Sequence, residues 1–190
     1  MQSSSSPKTA LILVDIQNDY FPDGKNELDG SLEAGSQAGR LLEGFRRAGQ
    51  DIVHIQHLSV RPGARFFLPG TTGAEIHASV QPLANETIIQ KHYPNSFRET
   101  GLLEHLHANQ VNRLVLAGMM THMCVEATAR AACDFGFECL VAADACATKD
   151  LGFQGEVIPA GHVHAACLAA LQGTYAKVLT VGEIIDLLGE

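Results

Sequence analysis

Six short apolar, β-branched runs recur along the chain: TALILVD (9–15), DIVHIQH (51–57), ETIIQKH (86–92), VNRLVLAG (111–118), FECLVAAD (137–144) and AKVLTV (176–181). Each reads as a strand, and helical patterns separate them at about 31–48, 101–109, 122–135 and 160–172, with a last one at 182–188. Strands that are nearly all apolar are covered on both faces, and strands that alternate with helices pair in parallel. The expected fold is therefore an α/β, three-layer α/β/α domain around a six-stranded parallel sheet. With 190 residues, the chain suits one domain with a sizeable core. The expected organisation is a disordered tail over 1–8, carrying the serines at 3–6, followed by a single domain over 9–190.

Bulk chemistry removes several function classes. The formal net charge is -8, and lysines and arginines are scattered, which argues against nucleic acid and anionic membranes as partners. No apolar run approaches a membrane span, and the first residues lack the apolar centre of a signal peptide, so a cytoplasmic protein is expected. The five cysteines, Cys124, Cys133, Cys139, Cys146 and Cys167, are odd in number and contain no C-x-x-C pair. Neither a disulfide framework nor a zinc ribbon fits. His105/His107 and His162/His164 are two apart, which on a helix turns the rings to different faces.

Ligands of open parallel sheets bind beyond the carboxyl ends of the strands, and three reactive residues sit there. Asp15 ends the first run, Lys91 ends the third, and Cys124 follows the fourth as the next helix begins. Taken alone, Asp15 reads rather as a cap or turn carboxylate beside Gln17, Asn18 and Asp19, and Lys91 as an exposed strand end. The other four cysteines read as small buried fillers. A thiol on the first turn of a helix meets unpaired N–H groups and the positive end of the dipole, so the Cys124 pKa is expected to fall. The same N–H groups suit an oxyanion. The connection 58–80, with Pro62, Gly63, Pro69, Gly70 and Gly73, reads either as a binding loop or as a surface excursion.

Three stretches together, DIQNDYF (15–21), QKHYPNSF (90–97) and GMMTHMCVEAT (118–128), resemble the isochorismatase-like cysteine hydrolases in order, spacing and strand context. The resemblance runs from about Thr9 to Leu188. It implies a catalytic triad of Asp15, Lys91 and Cys124, with Cys124 as nucleophile. It also implies a cis peptide between Met119 and Met120, which would turn the Met120 N–H toward that of Cys124 in an oxyanion hole. Phe21, His57, Tyr93 and His122, with Met120, flank these elements and are expected in the pocket wall. The metal-dependent nicotinamidases of the superfamily carry Asp-x-His after the second strand. Here that tripeptide is Ile55-Gln56-His57, so neither a metal nor another cofactor is expected.

The implied activity is metal-independent hydrolysis of a C–N bond, in an amide, ureido or carbamoyl group of a small molecule, through a thioester on Cys124. Isochorismatases proper generally lack the cysteine, which makes an isochorismatase-type reaction the lesser reading. A non-catalytic, oligomeric binding or redox-responsive protein of the same fold is the rival from another class. A dinucleotide enzyme would need a glycine-rich first turn, and an aspartyl phosphatase a second carboxylate where Gln17 stands. The Ala-rich helices at 122–135 and 160–172 allow close packing, and a homo-oligomer is expected.

Overall fold

The computed structural model describes residues 7–189. Among the described residues, eight strands and five α-helices follow one another. β1 (Thr9–Val14) leads through a single 3-10 turn, Asn18–Tyr20, to α1 (Ser31–Arg47) and β2 (Asp51–His57). β3 (Thr87–Lys91), α2 (Leu102–Ala108), β4 (Arg113–Met119), α3 (Glu126–Asp134) and β5 (Glu138–Ala147) follow. A hairpin of β6 (Leu151–Phe153) and β7 (Glu156–Ile158) then precedes α4 (Ala160–Leu171), β8 (Lys177–Leu179) and α5 (Val181–Leu188). The six expected strands form one parallel sheet in the order β3-β2-β1-β4-β5-β8. The antiparallel hairpin β6-β7 is an addition that the strand pattern does not signal; its Phe153 and Val157 are exposed.

Side chains alternate across each strand, and the core divides accordingly. Leu11 and Leu13 of β1 pack with Leu41, Leu42 and Phe45 of α1 and Ile184 of α5 on one face. Ala10, Ile12 and Val14 pack with Leu102 and Leu106 of α2 and Ala129 and Ala132 of α3 on the other. β1 is buried along its whole length, which is why it reads as one apolar run rather than as an alternating pattern.

Two boundaries differ from expectation. Of the tail expected over 1–8, residues 1–6 lie outside the described residues, while the carbonyl of Lys8 accepts hydrogen bonds from the N–H groups of Asn112 and Arg113. The helix expected from 122 begins as an α-helix only at Glu126, after a π-helical turn over Thr121–Val125. Among the other cysteines, Cys139 and Cys146 are buried as fillers, whereas Cys133 and Cys167 are only half-buried.

The order of the sheet sets the site. β3, β2, β1 and β4 are consecutive neighbours, so their carboxyl ends, and whatever residues end them, lie side by side. At the end of β4 the register against β5 shifts between Leu116 and Gly118. Gly118 adopts φ +135°, and a Cβ there would collide with the Val14 carbonyl. Glycine lets β4 approach β1 this closely just before the loop that carries Cys124. Gly118→Ala is expected to lower stability by about 3 kcal/mol or more, read as the shift of the urea midpoint at unchanged m; a loss below about 1 kcal/mol would show that the two backbones can separate.

Candidate active site

Asp15, Lys91 and Cys124 meet at those strand ends. Asp15 follows β1 directly in a left-handed conformation, φ +51°, with its N–H bonded to the Ile55 carbonyl of β2. A non-glycine residue in that region marks a constrained position. Lys91 closes β3 in register with His57, the last residue of β2. Cys124 sits in the π-helical turn after β4. All three are buried, the lysine and aspartate side chains completely.

The Lys91 ammonium is the hub. Nζ lies 2.7 Å from Asp15 Oδ2, 3.1 Å from His57 Nδ1, 3.0 Å from the Tyr93 carbonyl and 3.4 Å from Cys124 Sγ. Three N–H bonds thus serve four acceptors. Burial works against the charge on Lys91, but Asp15 and then Cys124 outweigh it, and its pKa is raised above the ordinary lysine value. Because an ammonium only donates, His57 Nδ1 must accept, and the ring hydrogen is assigned to Nε2. Burial is the main cause that lowers the His57 pKa to about 4, so the imidazole is neutral near pH 7.

The thiol departs from expectation. Burial first, then the Asp15 charge, raise the Cys124 pKa, and Lys91 only partly opposes them. The lowering inferred from a helix N-terminus does not prevail, because the group is in the protein interior. One cation supports one anion here: with Asp15 paired to Lys91, ionising Cys124 as well would leave a net negative charge in low dielectric. The resting site is carboxylate, ammonium and thiol. Asp15 Oδ1 is buried without a hydrogen-bond partner among the described residues, while Oδ2 takes the lysine. That oxygen is left free to accept, and a carboxylate oxygen of Asp15 lies within 4.8 Å of Cys124 Sγ.

Polar residues at alternate positions brace the site. Asp15, Gln17 and Asp19 are 0%, 0% and 4% exposed, so none is the solvated turn residue that composition suggests. Gln17 holds His57 from both sides, accepting from its N–H at 2.7 Å and donating to its carbonyl at 2.9 Å. Asp19 accepts from the Phe67 N–H at 2.6 Å and fixes Phe67 at φ +56°.

A cavity of about 490 Å³ opens onto Cys124. His57 and Tyr93 line it as expected, and the 58–80 connection contributes Ser59, Val60, Arg61, Phe66 and Phe67. Phe21 and His122, expected in the wall, do not line it. The 3-10 turn sends Tyr20 into the cavity and turns Phe21 away to stack on His77, centroids 3.5 Å apart. The π-helical turn likewise presents Met123, while His122 Nδ1 reaches Thr148 Oγ1 at 2.5 Å. Met120 is buried behind the wall in the core, and the Met119–Met120 peptide is cis.

The isochorismatase-domain family model matches residues 9–182. The chain belongs to the isochorismatase family. It is 49% identical over 172 residues to the uncharacterized isochorismatase family protein YddQ of Bacillus subtilis, covering 90% of this chain and 96% of that one. A crystal structure from Oleispira antarctica, described as that of an isochorismatase hydrolase, shares 46% identity with a TM-score of 0.92, covering 96% of this chain and 98% of the other. Maleamate amidohydrolase of Pseudomonas putida is 32% identical over 148 residues, 70% of each chain.

Whether this isochorismatase-family site fits a metal is decided by Lys91. Potential ligand atoms of Asp15, His57 and Cys124 lie within 4.8 Å of one another. The ammonium nitrogen already bonds to all three, so a fixed organic cation holds the place where a metal would bring its charge. The residues therefore do not fit a metal while Lys91 is charged.

Lys91→Met is expected to destabilise the fold by about 3–5 kcal/mol, since it leaves the Asp15 charge buried and unpaired; an unchanged thermal midpoint would contradict the ion pair. The His57 shift carries a pH signature. The folded protein keeps this ring neutral down to about pH 4, whereas the unfolded chain protonates it near 6.5. The unfolded state therefore takes up the extra proton in between, and stability falls as pH drops through that window. His57→Asn, whose amide oxygen can still accept from Lys91, is expected to flatten this loss in urea titrations across that range; an identical pH slope would refute the assignment.

Proposed function

We propose that this protein is a metal-independent cysteine hydrolase that cleaves a C–N bond, in an amide, ureido or carbamoyl group of a small molecule, through a thioester on Cys124. The observation that carries this reading is the convergence of a buried carboxylate and ammonium on a thiol that lines one cavity. The amidohydrolase among the relatives supports the bond type.

The reaction starts from the protonated thiol. As Sγ attacks the substrate carbonyl carbon, its proton passes to the free Oδ1 of Asp15, so the total charge of the site is unchanged. Lys91 exchanges weight between two acceptors it already touches. The carbonyl oxygen, now negative, is held by the N–H groups of Met120 and Cys124; among the described residues the Met120 N–H has no other acceptor, which supports that role. The C–N bond then breaks, the nitrogen leaves with the proton from Asp15, and a thioester remains. Water attacks it, giving its proton to Asp15, and the acid departs as Sγ is reprotonated.

The raised thiol favours one other reading, a binding protein with an inert cysteine. Alkylation against pH does not separate the two, since a buried thiol is slow in both. Turnover does. We also read the protein as a cytoplasmic homo-oligomer. Its five cysteines, none of them in a disulfide, support a reducing compartment, and the exposed alanines of α4 support self-association. On an amide substrate, Cys124→Ser and Asp15→Asn are each expected to lower kcat by about a thousandfold or more with the fold intact by circular dichroism. Near-native rates in either variant would end the scheme.

A further inference from the structure

We infer that the substrate is an amide that also carries an aromatic or comparably bulky apolar ring and a carboxylate, the ring lying against Tyr20, Phe66 and Phe67 and the carboxylate held by Arg61. This rests on the hydrolase reading of the same cavity and specifies what that cavity selects.

The ring follows from size and wall chemistry. About 490 Å³ lies within the range of pockets that enclose whole drug-sized ligands. One wall is a packed aromatic cluster: Tyr20 and Phe67 meet edge-on with centroids 4.6 Å apart, and Phe66 lies 5.0 Å from Phe67 and 5.9 Å from Tyr20. The wall is preorganised. Asp19 grips the Phe67 N–H, and the Ser59 N–H bonds the Phe67 carbonyl at 2.9 Å, which closes the loop 59–67 at its base. Fixed ring edges and faces of this kind favour a ligand ring over a flexible chain.

The carboxylate follows from charge. Among the described residues, Arg61 is the one lining residue with a permanent charge, and no carboxylate lines the cavity. Arg61 forms no ion pair among the described residues, unlike Arg46, Arg113 and Arg130. With Lys91 already paired to Asp15, the Arg61 guanidinium is the charge left unpaired at the cavity, an arrangement that attracts an anion to a chain of net charge -8. A guanidinium free at the rim is suited to a carboxylate in two parallel hydrogen bonds.

The test pairs ortho-, meta- and para-carbamoylbenzoate with neutral benzamide and with ringless succinamate. Turnover is measured on the wild-type protein and binding, by calorimetry, on Cys124→Ser. At least one carbamoylbenzoate is expected to exceed benzamide in kcat/KM by about fivefold or more, through KM, with the advantage shrinking as salt rises. It is expected to exceed succinamate as well. The ratio of carbamoylbenzoate to benzamide, rather than any absolute rate, reads Arg61: it should fall toward one in Arg61→Gln and invert in Arg61→Glu. A benzamide preference in the wild type, or an acid preference that survives Arg61→Glu, would overturn the carboxylate assignment; a succinamate preference would overturn the ring. Cys124-dependent turnover without charge or ring preference leaves the hydrolase reading standing and removes this one. Arg61-dependent binding of the acids to Cys124→Ser, with no turnover by the wild type, would overturn the hydrolase reading and with it the amide as substrate, leaving the ring and carboxylate selectivity of the cavity. Neither binding nor turnover across the panel overturns both.

Discussion

The site depends on one buried ammonium. Lys91 places its charge, fully enclosed, against Asp15 at 2.7 Å and Cys124 at 3.4 Å. Burying an ion is costly unless a counter-charge and hydrogen bonds offset it. Here two groups can supply the counter-charge, and only one of them can be ionised at a time without leaving an excess. That restriction makes the pair reactive: moving a proton from sulfur to carboxylate creates a nucleophile while the net charge in the low-dielectric interior stays constant. With burial, the same restriction raises the resting thiol; burial also keeps the neighbouring imidazole neutral, and the lysine's donation to Nδ1 leaves its hydrogen on Nε2.

The fold supplies the geometry with little local invention. β3, β2, β1 and β4 lie in that order, so residues that end them are neighbours by construction. Asp15, His57 and Lys91 need only stand at the last position of their strands or one beyond. The residues that refine the geometry are buried polar groups: Gln17 on the backbone of His57, and Asp19 on that of Phe67. Asp15, paired with Lys91, completes an alternate-residue series in which each polar side chain braces a different element.

Much of this is legible in the sequence, and the failures have local causes. Continuous apolar strands announce a sheet covered on both sides, and the strand-end rule singles out Asp15, Lys91 and Cys124 from residue order alone. The wall of the cavity is less legible. A 3-10 turn and a π-helical turn change the angle between successive side chains, and so Tyr20 and Met123 face the cavity in place of the expected Phe21 and His122. The hairpin 151–158 has strands of three residues each, too short for any periodicity to register. The Cys124 shift runs opposite to expectation because helix position is visible in sequence while depth of burial is not. Gln17 carries a signal that a reading by composition passes over: Asp15, Gln17 and Asp19 place polar groups on alternate positions immediately after a fully apolar run, a pattern with no solvent-facing strand to explain it.

The most direct measurement of the one-cation, one-anion site is the ultraviolet thiolate absorbance of the folded wild-type protein against pH, taken as a difference from Cys124→Ala so that the other four cysteines cancel. No Cys124 thiolate is expected at neutral pH, with absorbance appearing only well into the alkaline range. A thiolate step near or below neutrality, with Asp15 and Lys91 intact, would contradict it.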